Sequence, residues 1–250
     1  MAQESLPALA AVHTMTVEPA GFDDFIKQNQ AVIYWMDTGE LEEETCFRAY
    51  YQAMSPARRK KVDSCLFGKD KRLSLGAGIL LDQGLSAYGL RERTTKAAYG
   101  EKGKPYLPEH PHIHFNLSHA GSRAMAVFAG VETGCDIEQV QKADLELAEK
   151  FFAPGEYTCI AGQREGKQQD EMFYRLWTLK ESFLKAVGEG LILDLDTFEI
   201  NVSPAGKVSV TPRKKEASEV CRGKFAFRQY RLGEYCAAVC FWKSPHRVLQ

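Results

Sequence analysis

The stretch from about Glu171 to Val187 constrains this chain most, because it reads as one long helix that stops at Gly188, a natural C-terminal stop. It places Trp177, Glu181 and Lys185 at i, i+4 and i+8, along a single stripe, with Lys180 just beside it. A stripe that mixes a large aromatic, an acid and a base is a poor solvent face and a poor core face. It suits a cleft wall that touches charge. Glu181 can there complete a metal site or take a proton from a hydroxyl nucleophile, and Lys180 and Lys185 can meet phosphate oxygens. Taken alone, the stripe also reads as an ordinary surface Glu–Lys pair, worth about 0.2–0.5 kcal/mol.

A second segment, Gly134-Cys-Asp136-Ile-Glu138, sharpens the picture. Val131 to Gly134 reads as a turn before a short strand. Residues two apart on a strand point to one side, so both carboxylates share a face. Carboxylates forced together repel unless a cation sits between them. A hard divalent ion fits, and Mg²⁺ takes one or two carboxylates plus substrate phosphates. An isolated Asp-x-Glu is more often two solvated acids.

Ser118-His119 follows a strand, where a hydroxyl and an imidazole can bind a phosphate or a nucleoside edge. Adjacent strand residues point oppositely, which disfavours a Ser–His nucleophile pair. His112 and His114 share a face, but no third ligand has a recognised zinc spacing. Basic residues cluster at Arg58 to Lys61, Lys69, Lys71, Arg72, Lys102 and Lys104, and most read as solvated.

With 250 residues, the chain suits one large domain or two small ones and can bury a core without staples. The net charge of -1 gives no general pull toward nucleic acid or anionic lipid, so any phosphate-binding patch must be local. The seven cysteines are scattered and form no Cys-x-x-Cys pair. Cys236 and Cys240 would share a strand face roughly 13 Å apart, too far to share a metal. They read as reduced core fillers of a cytoplasmic protein. The N-terminus, with Glu4 and the short apolar run from Leu6 to Val12, makes a poor signal peptide, and no apolar run is long enough to span a membrane.

Along the chain, residues 1–30 lack clear periodicity. Ala31 to Trp35 reads as a buried strand, Ser55-Pro56 as a helix start, and Asp70 to Ser86 as a long helix with Leu73, Ala77, Leu80, Leu81 and Leu85 inward. Tyr99 to Pro111 is a loop. His112–Ser118 and Ala124–Ala129 are strands, Ala153-Pro154-Gly155 starts a short helix, and Gln163 to Asp170 is a charged loop. The remainder is β: Thr197–Val202, Lys207–Val210, Phe225–Arg231 and Tyr235–Trp242. Each half has a strand, a Pro-started short helix and a longer helix. That coarse echo predicts two α+β lobes with a ligand cleft between them.

Lys104-Pro105, Phe115-Asn-Leu-Ser118-His119, Gly134-Cys-Asp136-Ile-Glu138, Phe151-Phe152 and Trp177-Thr-Leu-Lys180-Glu181-Ser-Phe-Leu-Lys185 occur in the order seen in Sfp-type 4′-phosphopantetheinyl transferases. From about Arg58 to Ile200 the chain resembles that family. The resemblance implies an α+β fold of two similar lobes related by pseudo-twofold symmetry. The lobe of residues 1–130 would face the adenosine and 3′-phosphate of coenzyme A, and the lobe of residues 131–250 would carry the Mg²⁺ site. It implies Mg²⁺ on Asp136, Glu138 and Glu181, Glu181 as base, and Lys185 and Lys180 on the pyrophosphate. Arg72, Lys104, Ser118 and His119 fall where the family grips the adenosine and its phosphate. Ile137 is neutral, so a water is expected where some relatives place a third carboxylate. The implied activity is of the holo-[acyl-carrier-protein] synthase type, moving 4′-phosphopantetheine from coenzyme A to a serine of an apo acyl or peptidyl carrier protein. A monomer with no nucleic-acid or membrane partner is expected. The competing readings are another metal-dependent phosphodiesterase and a non-catalytic coenzyme A or carrier-binding module.

Overall fold

Alternation along a few strands dictates how the layers of this protein stack. In the computed structural model, residues 12–16, 31–188 and 193–243 are described, so most of the aperiodic first 30 residues lie outside them. β1 (His13–Thr16) pairs antiparallel with β2 (Val32–Asp37). β2 then pairs with β6 (Arg123–Ala129), and β6 with β5 (His114–Ala120), giving the order β1-β2-β6-β5. A second antiparallel sheet has the order β10 (Phe225–Leu232), β11 (Tyr235–Trp242), β7 (Thr133–Gln139). Strand pairing in the two large sheets thus segregates on either side of residues 130–132. Two ribbons complete the β-structure: β3 (Ala98–Tyr99) with β4 (Pro105–Tyr106), inside the expected loop, and β8 (Phe198–Val202) with β9 (Val208–Pro212).

Both large sheets are covered on both faces, which is why their strands read as near-continuous apolar runs. Tyr34, Met36, Ala124, Ala126 and Phe128 point to the core under helix α3 (Gly68–Ser86), reached through α1 (Glu44–Ala53) and α2 (Pro56–Asp63). Ile33, Met125 and Val127 point the other way and pack on Cys135, Ile137, Ala237, Val239 and Phe241 of the second sheet. The far face of that sheet presents Ala238 and Cys240 to Leu176, Leu179 and Phe183 of a long helix, α6 (Lys167–Val187). The order is helix, sheet, sheet, helix. Two similar α+β lobes lie back to back, and the apolar seam between the sheets fixes them together.

Local signals explain the boundaries. Ser55 Oγ accepts the Arg58 N–H at 3.1 Å and Pro56 opens α2, as its sequence predicts. Gly188 ends α6 with φ +74°, its N–H donating to Leu184 O. α6 begins four residues earlier than the charged run suggests, because Gly166 at φ +91° turns the chain and the charges sit on an open first turn. Before α5 (Pro154–Ala161) lies an unforeseen short helix, α4 (Leu145–Phe151), capped by Asp144 accepting from Leu147 N. Among the described residues, no helix is long and apolar enough to cross a membrane.

Candidate active site between the lobes

β7 is the strand on which the site is built. Its Cys135 and Ile137 enter the seam between the sheets, so Gly134, Asp136 and Glu138 must face α6. Gly134 belongs to this strand, not to a turn, because α6 packs too close for any side chain there. A Cβ would stand 2.3 Å from Ser182 O and from Ala186 N. On the other side, the edge strand β5 meets β7, with Cys135 N donating to Asn116 Oδ1 at 3.0 Å.

A cleft of about 380 Å³ opens there, lined by Leu117, Ser118, His119, Asp136, Glu138, Trp177, Glu181 and Lys185. The helical stripe and the strand acids therefore form one wall. Lys185 Nζ donates to Asp136 Oδ1 at 2.6 Å and to Ser118 Oγ at 3.1 Å, and Ser118 Oγ donates to the same Asp136 oxygen at 2.9 Å. Asp136 is 3% exposed, and its Oδ2 is buried with no hydrogen-bond partner among the described residues. Burial first, then Asp136 and Glu181, push the Glu138 carboxyl up to about 7 against the pull of Lys185. Burial and Asp136 likewise raise Glu181, again opposed by Lys185. Burial works against the Lys185 ammonium, but Asp136 leads the neighbours that hold its pKa above the usual lysine value. His119 is held below the usual imidazole value by burial, then by Lys61 and Lys185, so it offers a neutral ring near pH 7.

Three carboxyls, one with a bare buried oxygen, mark a place where positive charge is in deficit. Among the described residues, no three His, Cys, Asp or Glu side chains stand close enough to hold an ion unaided. The bare Asp136 oxygen beside two further carboxyls is a donor set that would suit a magnesium ion completing its shell with water and substrate phosphate.

Six of the expected site residues thus converge: Ser118, His119, Asp136, Glu138, Glu181 and Lys185. Lys180 does not, and the expectation that it meets phosphate is corrected. Its side chain is fully buried on the other side of α6, with Nζ 2.7 Å from both carboxylate oxygens of Glu156 and 2.9 Å from Phe198 O. Lys104 also stands outside the lining, donating to Glu132 Oε2 at 2.6 Å and to Ala186 O at 2.8 Å in the last turn of α6. Arg72 stands outside as well and bonds Glu42 at 2.9 Å. Lys61, whose charge reaches His119, lies among four consecutive basic residues with nothing in the sequence to single it out.

The family model of the 4′-phosphopantetheinyl transferase superfamily matches residues 132–240, which holds the acids and α6. A 4′-phosphopantetheinyl transferase of Bacillus subtilis is 34% identical over 189 residues, 74% of this chain and 83% of that relative. The chain belongs to the 4′-phosphopantetheinyl transferase family. The transferase Sfp of Bacillus subtilis strain 168, 33% identical over 70% of this chain and 78% of its own, shows that the likeness is of the Sfp type. Among solved structures, a Neisseria meningitidis holo-[acyl-carrier-protein] synthase overlaps 45% of this chain at 18% identity and a TM-score of 0.39, too loosely to inform the site.

In this transferase, the end of α6 is held by Lys104, whose partner Glu132 also lies 3.2 Å from His114 Nδ1. Burial alone would raise the Glu132 carboxyl, but His114 and Lys104 hold it down to about 2, against an ordinary 4.5. A depressed carboxyl stabilises the fold above its unfolded value and loses that contribution as pH falls toward the folded one. Glu132→Gln is therefore expected to flatten the fall in stability between pH 4.5 and 2. Denaturation midpoints measured across that window check this, and parallel wild-type and variant curves would refute it.

Proposed function

We propose that this protein moves the 4′-phosphopantetheine arm of coenzyme A onto the serine hydroxyl of an apo acyl or peptidyl carrier protein. The observation that carries this reading is the convergence of Asp136, Glu138 and Glu181 with Lys185 in one cleft between the lobes. Mg²⁺ would be held by the three carboxylates together with pyrophosphate oxygens, and it would supply neutralising charge for the phosphates.

Each side chain has a task that its surroundings support. Glu181 takes the proton from the serine hydroxyl, which is a weak nucleophile until a base does so. Burial and Asp136 raise its carboxyl above the ordinary value, which strengthens it as a base. The serine oxygen forms a bond to the β-phosphorus, and the bond from that phosphorus to the bridging oxygen breaks. Adenosine 3′,5′-bisphosphate leaves with the electron pair. Lys185 keeps its charge beside Asp136 and meets the negative charge that grows on the phosphates. Ser118 and the neutral His119, also in the cleft lining, would take a phosphate or nucleoside edge by hydrogen bonding.

We read the subtype as Sfp-like, not as the holo-[acyl-carrier-protein] synthase type that the motifs first imply. The support is that relatives matching most of this chain include Sfp itself. We read the active unit as one chain, because the chain itself supplies both lobes that line the cleft.

Incubation with coenzyme A, Mg²⁺ and a panel of apo carrier domains, followed by intact mass measurement, tests this. Carriers are expected to gain one phosphopantetheine each. Coenzyme A hydrolysis with no carrier gain would sink the transferase reading in favour of a phosphodiesterase, and tight binding without any reaction would leave a binding module.

A further inference from the structure

Lys180 and Glu156 form the most enclosed ion pair in the described residues, with side chains 0% and 1% exposed, and the chemistry above uses neither. Their bonds join three pieces of the C-terminal lobe. The ammonium donates to both Glu156 oxygens and to Phe198 O, at the start of β8. The carboxylate also accepts Ile200 N–H at 2.7 Å, from β8, and Ala153 N–H at 2.8 Å, from the cap of α5. The rings of Phe198 and Phe152 flank the ammonium at 4.2 and 5.9 Å. Three elements thus meet at one point on the midsection of α6.

We propose that the Lys180–Glu156 pair is a positioning device for α6, fixing its rotation and depth so that Glu181 and Lys185 stand beside Asp136 in the cleft wall. This rests on the transferase reading above. Lys180 is the neighbour of Glu181 in sequence and about 100° from it around the helix. A turn or slide of α6 that moves one moves the other. Apolar packing alone defines that rotation loosely, since the helix buries Leu176, Leu179 and Phe183 against adaptable aliphatic and aromatic neighbours. A saturated set of directional bonds defines it closely. Stability alone is a weak reason for the pair. Two buried charges pay a desolvation cost that their attraction only just repays, so neutral replacements of similar volume are often as stable. Lys180 and Glu156 are thus positioning residues and do not contact substrate.

The test is the double variant Lys180→Met with Glu156→Gln, in which both charges go and volume is kept. It is expected to melt within a few degrees of wild type and to bind coenzyme A with little change. Its kcat for carrier modification is expected to fall by about 30- to 100-fold, the cost of reacting groups misplaced by about an ångström. A folded, coenzyme A-binding variant with wild-type kcat would overturn the proposal, since a merely structural pair leaves turnover per folded molecule alone. Should the double variant not fold, Glu156→Gln alone is read in the same way. A pair whose neutral variants all fail to fold is holding the lobe together, not aiming a helix, and that result also overturns it. Wild type in the same assay separates the two readings: no wild-type transfer refutes the function and the positioning role together, whereas a loss of kcat confined to the variants supports both.

Discussion

Glu181→Gln is expected to bind coenzyme A nearly as wild type does and to lose about 10²- to 10⁴-fold in transfer, the range that a positioned general base contributes. The amide matches the carboxylate in shape, so α6 and the cleft wall are undisturbed. It cannot accept a proton from the carrier serine. It also removes one negative charge from a crowded set, and Glu138, which Glu181 helps to push up, relaxes toward its ordinary value. The amide is a poorer ligand for Mg²⁺, so part of the loss comes from weaker metal holding. Titrating Mg²⁺ separates the two contributions. Loss of the base persists at saturating metal, whereas loss of a ligand is recovered. Isothermal titration with coenzyme A and single-turnover transfer to a carrier supply the two measurements. Near-normal turnover would show that the proton goes elsewhere.

The site was legible where periodicity alone decides which way a side chain points. Asp136 and Glu138 share a face because a strand alternates, and Trp177, Glu181 and Lys185 share a stripe because a helix repeats every 3.6 residues. Both inferences survive in the cleft lining. Lys180 shows where such reasoning stops. It lies one residue off the stripe, and a lysine is expected to seek water. Its burial depends on Glu156, 24 residues upstream on another helix, and on the β8 backbone, which no local pattern reveals. The contacts of Lys104 are equally hidden from local pattern, since its carboxylate partner lies 28 residues away and its carbonyl partner 82. In the fold, the long helices and the last two strands could be read from apolar patterning and terminal glycines. β1 could not, because its four residues His13–Thr16 form an edge strand without a clear alternation. The helix–sheet–sheet–helix order is likewise a matter of which strand faces meet, and that appears only when the two apolar sides of β6 and β7 are seen against each other.

Gly134→Ala is expected to be the most damaging single methyl group that can be added near the site. The glycine ends a run that reads as a turn, but its φ is not among the positive ones; the constraint is space. An alanine Cβ would lie 2.3 Å from Ser182 O, 2.3 Å from Ala186 N and 2.7 Å from Lys185 C. All three are backbone atoms of α6, so no rotamer change can relieve the contact. Either α6 moves outward by about an ångström to reach ordinary contact distance, or β7 breaks its pairing with β11 at Cys240. Overpacking of this kind costs about 1–3 kcal/mol, and a contact between two backbones belongs at the upper end. For a chain of this size, that corresponds to a fall in melting temperature of about 6–12 °C. Function suffers more than stability, because the displaced turn of helix carries Ser182, Lys185 and Ala186. Lys185 would be drawn from Asp136, now 2.6 Å away, and Glu181 would leave the acids it faces. A misplacement of that size costs about 10²-fold in rate. Melting curves and carrier-transfer kinetics on one preparation test both parts. A variant that melts and turns over like wild type would mean that α6 and β7 do not approach as closely as the strand glycine requires.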